Sequence, residues 1–381
     1  MFAKNRRLFY AIALFQGMVF YGSVATLYRQ ASGMTVFQIT LIESISLAAM
    51  LLLEIPWGYA ADKIGYKNTI VLCNLLFCLS KLVFWKAGSF AAFLAERLIL
   101  SVVLSGLSGC DSAFLYMNMG DKNHKKVFAV YSVMGTIGLL LAAASFSLFL
   151  FANLRLTAFL TFITYGIAFL LSLFLSGKAE EREKKAREAI APRALLRALA
   201  ADRRFLCYLA ACAFLMETGQ TVTVFLSQLQ YQKSGISVHL FGYLYLLLTG
   251  AGMFAMGAAS LGRKLTEKGL MLVAGAACLM LYASSGAFTS IAGIIGLRIA
   301  ASLLYPLLED AKNRQVSHGN RATVLSGYSM LMSLAGVFTN LVFGWLSDIG
   351  IGYAMLFGAA LNIAGFLMVY KAQRKAPGGG A

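Results

Sequence analysis

Apolar runs of about 20 residues recur along the whole of this chain, and each is long enough to cross the roughly 30 Å hydrocarbon core of a bilayer as a helix. We place them at 8–28, 37–60, 68–86, 91–117, 127–150, 156–177, 204–229, 238–262, 269–288, 291–311, 322–346 and 352–371. No single soluble core could bury so much. Of 381 residues, 59% are hydrophobic and 13% charged, with a mean hydropathy of +0.74, so lipid must be the main solvent. The expected fold class is an all-α membrane protein of twelve transmembrane helices. The continuous apolar stretch 127–177 is divided at Asn153-Leu154-Arg155, and Pro56 and Pro306 are expected to kink the second and tenth helices.

Basic residues set the orientation. Of the 33 Lys and Arg, 26 fall in the N-terminus, the even-numbered loops and the C-terminus, whereas the odd-numbered loops hold Arg29, Lys86, Arg155 and Lys233. Lys81, Arg97 and Arg298 lie within spans. Both termini are therefore expected in the cytoplasm. The same distribution argues against nucleic acid as the partner behind a net charge of +17, since the bases are spread along one membrane face in short segments.

The longest loop divides the chain into a six-helix bundle at 1–177, a cytoplasmic linker at 178–203, a second six-helix bundle at 204–371 and a tail at 372–381. In the linker, Pro192 suits a helix start, with Leu195, Leu196 and Leu199 on one side and Arg193, Arg197, Arg203 and Arg204 on the others. That pattern fits an amphipathic helix on the membrane surface, or equally a solvated linker with helical propensity. The halves also repeat. Arg97 is matched by Arg298, Tyr131-Ser132 by Tyr328-Ser329, and Gly58 through Gly65 by Gly262 through Gly269, at offsets of 201, 197 and 204 residues. In the second copy Thr266 stands where the first has Asp62.

The segment Gly58-Tyr59-Ala60-Ala61-Asp62-Lys63-Ile64-Gly65-Tyr66-Lys67 lies between the second and third spans. It resembles the signature loop of the major facilitator superfamily, Gly-x-x-x-Asp-(Arg/Lys)-x-Gly-(Arg/Lys)-(Arg/Lys). Glu54-Ile55-Pro56-x-Gly58, Glu96-Arg97 through Ser108-Gly109-Cys110-Asp111, Asn320-Arg321-Ala322-Thr323 and Gly344-Trp345-Leu346-Ser347-Asp348 are similar to stretches of bacterial members. The resemblance implies two six-helix repeats that rock about a substrate held near the midplane by helices 1, 4, 7 and 10. Gly58, Asp62, Lys63, Gly65 and Lys67 would form the gating motif, with Asp62 meeting the positive end of a helix from the other half. Two departures thin the pattern: Tyr66 replaces a basic residue, and Met117 follows Tyr116 where related sequences often have Asp. The fifth span lacks the Gly-Pro-x-x-Gly of proton-coupled drug antiporters and offers Gly135-x-x-Gly138.

Ionisable and amide groups at membrane depth are costly and therefore informative. Glu217 lies thirteen residues beyond Arg204, roughly 20 Å from the interface and so close to the midplane. With Asp111, Gln16, Gln220 and Glu43 it makes up the set of substrate- or proton-coupling candidates, and Arg97 and Arg298 are the buried cations. A desolvated carboxylate can exchange a proton as access alternates; it can also serve as a structural partner for a neighbouring helix. Arg97 has the same two readings, Glu54 reads as structural, and Lys81 can pair with an acid or snorkel. No His-Glu-x-x-His, Gly-x-Ser-x-Gly or phosphate-binding Gly-rich Lys-Ser/Thr motif occurs, and all six cysteines fall within spans, so no enzyme, metal or cofactor is expected. The expected protein is a monomeric secondary transporter of the cell membrane that exchanges protons for a small organic solute. An uptake symporter or uniporter, or a transport-inactive receptor or scaffold, are the alternatives.

Overall fold

The computed structural model describes residues 2–118, 124–177, 202–259, 266–315 and 321–374; the proposed amphipathic helix of the linker lies outside them. Among the described residues there are helices and turns and no strand. In chain order the α-helices are α1 (Phe2–Gly17), α2 (Ala25–Ala31), α3 (Val36–Ile64), α4 (Tyr66–Lys86), α5 (Phe90–Leu107), α6 (Cys110–Met117), α7 (His124–Ser145), α8 (Leu154–Leu173), α9 (Arg203–Gln220), α10 (Ser227–Lys233), α11 (Phe241–Ala259), α12 (Glu267–Ala283), α13 (Ala287–Gln315), α14 (Arg321–Ile349) and α15 (Ile351–Arg374). Eleven helical stretches among the described residues are long and apolar enough to cross a membrane. The span expected at 269–288 is α12, whose 17 residues leave it just short of that length. Asn153 does separate two helices, because its side chain caps α8 by accepting from the Leu156 N–H.

Two expected spans are not single helices. The first is interrupted between Gly17 and Ala25, with a short 3₁₀ turn at Gly22–Val24. The fourth is broken between α5 and α6 at Gly109, whose φ of 81° puts it in the left-handed region open to glycine. Within a bilayer an unwound backbone has no water to bond, so protein groups must serve it. At the first break α8 supplies them: Thr161 Oγ1 accepts from the Phe20 N–H at 3.0 Å, Thr164 Oγ1 donates to the Met18 carbonyl at 3.2 Å, and Tyr165 Oη donates to the Gln16 carbonyl at 2.8 Å. Thr161→Val should therefore cost about 1–3 kcal/mol by orphaning a backbone N–H at membrane depth, whereas Thr161→Ser should cost far less. Thermal unfolding of the purified protein measures the difference; equal losses for Val and Ser would show that the hydroxyl plays no such part.

The chain divides into two compact units. One comprises residues 1–34, 45–187 and 238–246; the other comprises 35–44, 188–237 and 247–381. The core of the first unit gathers Phe9, Ile12, Ile70, Phe114 and Leu115 in one cluster, and Cys73, Phe77, Leu100, Val103 and Tyr165 in another. Here α1 and α7 touch backbone to backbone. Gly17 lies against the Gly135 carbonyl and Gly138 against the Leu14 carbonyl, so that a methyl group at Gly17 or Gly138 would overlap main chain. This gives the Gly135-x-x-Gly138 pair a packing role. Gly65 makes the turn between α3 and α4 at φ 89°.

In the second unit, α9 passes into a π-helical turn at Thr221–Leu226 before α10. Thr218, Thr223 and Ser227 each donate a hydroxyl hydrogen bond to the carbonyl four residues earlier, a local competition that disfavours a regular helix. Thr221 Oγ1 instead donates to Asn340 Oδ1 of α14 at 2.6 Å. The beginning of α3 also belongs to this unit. Asp348 accepts from the Val36 N–H at 2.8 Å and the Phe37 N–H at 3.1 Å, and Thr35 and Gln38 cap one another reciprocally. Gly344 lies so close to the Phe37 Cα and Thr40 that a side chain there would not fit. The Gly344-to-Asp348 stretch thus acts as a seat for a helix start.

Candidate functional site

The break in the first unit and the π-turn in the second lie about 200 residues apart, close to the offset between the sequence repeats. Interrupted helices at matching positions of two repeats are the usual signpost of a transport site.

In the first unit, Gln16 is the last residue but one before the break, and its Nε2 donates to Asn74 Oδ1 of α4 at 2.9 Å. Asn74 is itself buried and donates to the Ile70 carbonyl at 2.8 Å. Asp111 sits in the first turn of α6, just past Gly109, where its Oδ2 accepts from Tyr131 Oη of α7 at 3.2 Å. Gln16 and Asp111 thus have separate partners and do not share one cluster.

A second polar group of this unit was not expected from sequence. Arg29, assigned above to an external loop, is instead within α2 and 6% exposed, because the break in the first span is followed by another helix turn. Its Nη2 lies 3.9 Å from Glu96 Oε2, while Lys81 Nζ lies 3.4 Å from Glu96 Oε1, so one buried carboxylate serves two buried cations. Arg29 stands over the rings of Phe84 and Phe93, at 5.4 and 5.9 Å, and Lys81 over that of Tyr165 at 5.4 Å. Lys81 therefore pairs with an acid and does not snorkel. Arg97, the next residue after Glu96, is half-buried, and its carbonyl accepts from the Ser101 hydroxyl at 3.0 Å.

In the second unit, Glu217 is half-buried on α9, one turn before the π-helical segment. Its carboxylate lies against Gly336 of α14, so closely that a Cβ there would approach Oε2 to 2.6 Å. Gln220 is exposed. Glu43 is half-buried on the part of α3 that belongs to this unit, and Arg298 of α13 is half-buried with its Nε close against Gly252 of α11. Gly58 and Asp62 fall on the α3 helix, but the setting of their side chains lies outside the described residues; Lys63 is exposed and Lys67 half-buried. Sequence reading passed over Asn74, Thr161, Tyr165, Asn340 and Gly336. The available signals were lone amides in apolar spans and the Thr161-x-x-Thr164-Tyr165 stripe.

Eleven membrane-length helical stretches among the described residues, with a broken first span and a π-turn in the seventh, define a multi-pass membrane protein. Residues 8–308 match the sequence profile of the Major Facilitator Superfamily, and the chain belongs to that family. No curated protein matches it in sequence. Its fold is similar to that of the nucleoside transporter NupG, with a TM-score of 0.78 at 16% identity over 97% of this chain and 98% of the other. A POT family transporter crystallised with 5-aminolevulinic acid gives 0.75 at 13% identity, over 97% and 96% of the two chains. A bacterial homologue of the human lysosomal transporter Spinster gives 0.69 at 16% identity, over 97% and 94%. At these identities the likeness shows the fold alone.

Proposed function

We propose that this transporter is a proton-coupled antiporter that exports a small organic compound across the cell membrane, with both termini in the cytoplasm. The bundles at 1–177 and 204–371 alternate access to the solute, and Glu217 carries the proton. One observation supports this assignment above the others. Glu217 stands on a spanning helix, beside a π-turn, and among the described residues it makes no ion pair. A carboxylate so placed has little structural reason to be there, because its desolvation is not offset by an ion pair. Asp111 is the weaker candidate, since Tyr131 already engages it. The signature segment from Gly58 to Lys67 acts as the gate of the same cycle.

Everted membrane vesicles with a respiration-driven proton gradient provide the test. Addition of a transported solute should partly dissipate the gradient in vesicles containing the protein and not in those without it. Accumulation driven only by a gradient of the opposite sign would make the protein an uptake symporter, and saturable binding with no flux under either gradient would make it a receptor.

A further inference from the structure

We propose that the groove between α9 and α14 receives the apolar part of an amphiphilic organic cation whose ammonium group rests on Glu217. The inference builds on the transporter reading above and names the solute's chemical class. Leu206, Leu209 and Ala213 lie along one face of α9, and Glu217 continues the same stripe, because eleven residues are close to three whole turns and span about 16 Å. Facing them on α14 are Leu331, Met332 and Ala335, and between the two helices is a cavity of about 180 Å³ lined by these apolar side chains. Beyond one end come Glu217, one turn past Ala213, and Gly336, the residue after Ala335. Beyond the other, the rings of Phe205 and Tyr328 meet edge to face at 5.0 Å.

The head of this groove specifies a charge. Among the described residues no side chain donates a hydrogen bond to Glu217: Thr218 turns to the Phe214 carbonyl, and Thr339 to the carbonyls of Ala335 and Gly336. Gly336 has no side chain and leaves the carboxylate the room it occupies. A neutral ligand would leave that carboxylate uncompensated, and an anion would be repelled. A cation with a short hydrocarbon tail satisfies both parts, the tail displacing the solvent or lipid along Leu206 to Ala335 and the charge meeting the acid. Proton and cation then compete for one carboxylate, as antiport requires.

The test uses the full-length protein in lipid nanodiscs with hexyltrimethylammonium as probe, because its fixed charge cannot carry protons across a membrane. Binding is followed by calorimetry and by the shift in unfolding temperature. Hexyltrimethylammonium should bind saturably, ethyltrimethylammonium more weakly, and hexanoate not at all. Glu217→Gln should weaken binding by roughly tenfold or more, as loss of a charged partner does, and Ala335→Leu should weaken it by filling the groove. Should Glu217→Gln not fold, the chain-length and charge dependence of the wild-type protein carry the test alone. Equal binding of hexanoate, unchanged affinity in a folded Glu217→Gln, or a co-purified phospholipid that the probe cannot displace would each overturn the inference while leaving proton-coupled transport intact. Probe binding as expected, without solute-driven dissipation of a proton gradient, would instead overturn the transport reading alone.

Discussion

Glu217→Gln is expected to abolish proton-driven accumulation, a loss of two orders of magnitude or more in the coupled flux, while the protein still reaches the membrane in normal amounts. Gln keeps the size of the side chain and can still accept and donate hydrogen bonds, but it cannot release a proton. Folding should be spared because, among the described residues, the carboxylate makes no ion pair or side-chain hydrogen bond that Gln would break. Exchange of labelled for unlabelled solute, which needs no net proton movement, should survive in part. Asp111→Asn is the parallel variant: it keeps an acceptor for Tyr131 and should be the milder of the two. Full proton-driven transport by Glu217→Gln, with unaltered pH dependence, would shift the assignment to Asp111 or Glu43.

Glu96→Gln is expected to be the most destabilising conservative substitution in the first unit, by about 3–5 kcal/mol, because it removes the carboxylate that Arg29 and Lys81 share and leaves both cations buried. Arg29→Met should cost much less, since Lys81 and Glu96 then balance one another and the methionine still packs on Phe84 and Phe93. The combination Glu96→Gln with Arg29→Met should recover part of the loss, and a double-mutant cycle on unfolding temperature reads that coupling. Strict additivity of the two single effects would mean that the three charges do not act as a group.

The two substitutions probe different kinds of buried charge. Glu96, 1% exposed, is held by two cations that themselves stand over aromatic rings, which suits a fixed element of the fold. Glu217 is half-buried, without an ion-pair partner among the described residues and adjacent to an irregular helix turn, which suits a group that changes partners. Burial alone would have ranked them the other way round.

Local composition was enough to establish the membrane class and the approximate spans, because hydropathy over 20 residues is a property of a segment taken alone. The signature from Gly58 to Lys67 and the 200-residue repeat were likewise legible, and the match over residues 8–308 agrees with the family they indicated. Glu217 could be singled out from its depth in an apolar run. The break after Gly17 could not, since Met18, Val19, Phe20 and Tyr21 are as apolar as their neighbours, and what permits unwinding is a set of hydroxyls on α8, with Thr161 standing 141 residues away from Phe20. That same break carries Arg29 from an expected loop into a buried helix. Which partner each buried polar group finds, Asn74 for Gln16, Glu96 for Lys81 and Arg29, Gly336 for Glu217, was decided by tertiary structure. In lipid an unsatisfied polar group is expensive wherever it lies, so the chain specifies that partners must exist, and only the packing of distant helices determines which they are.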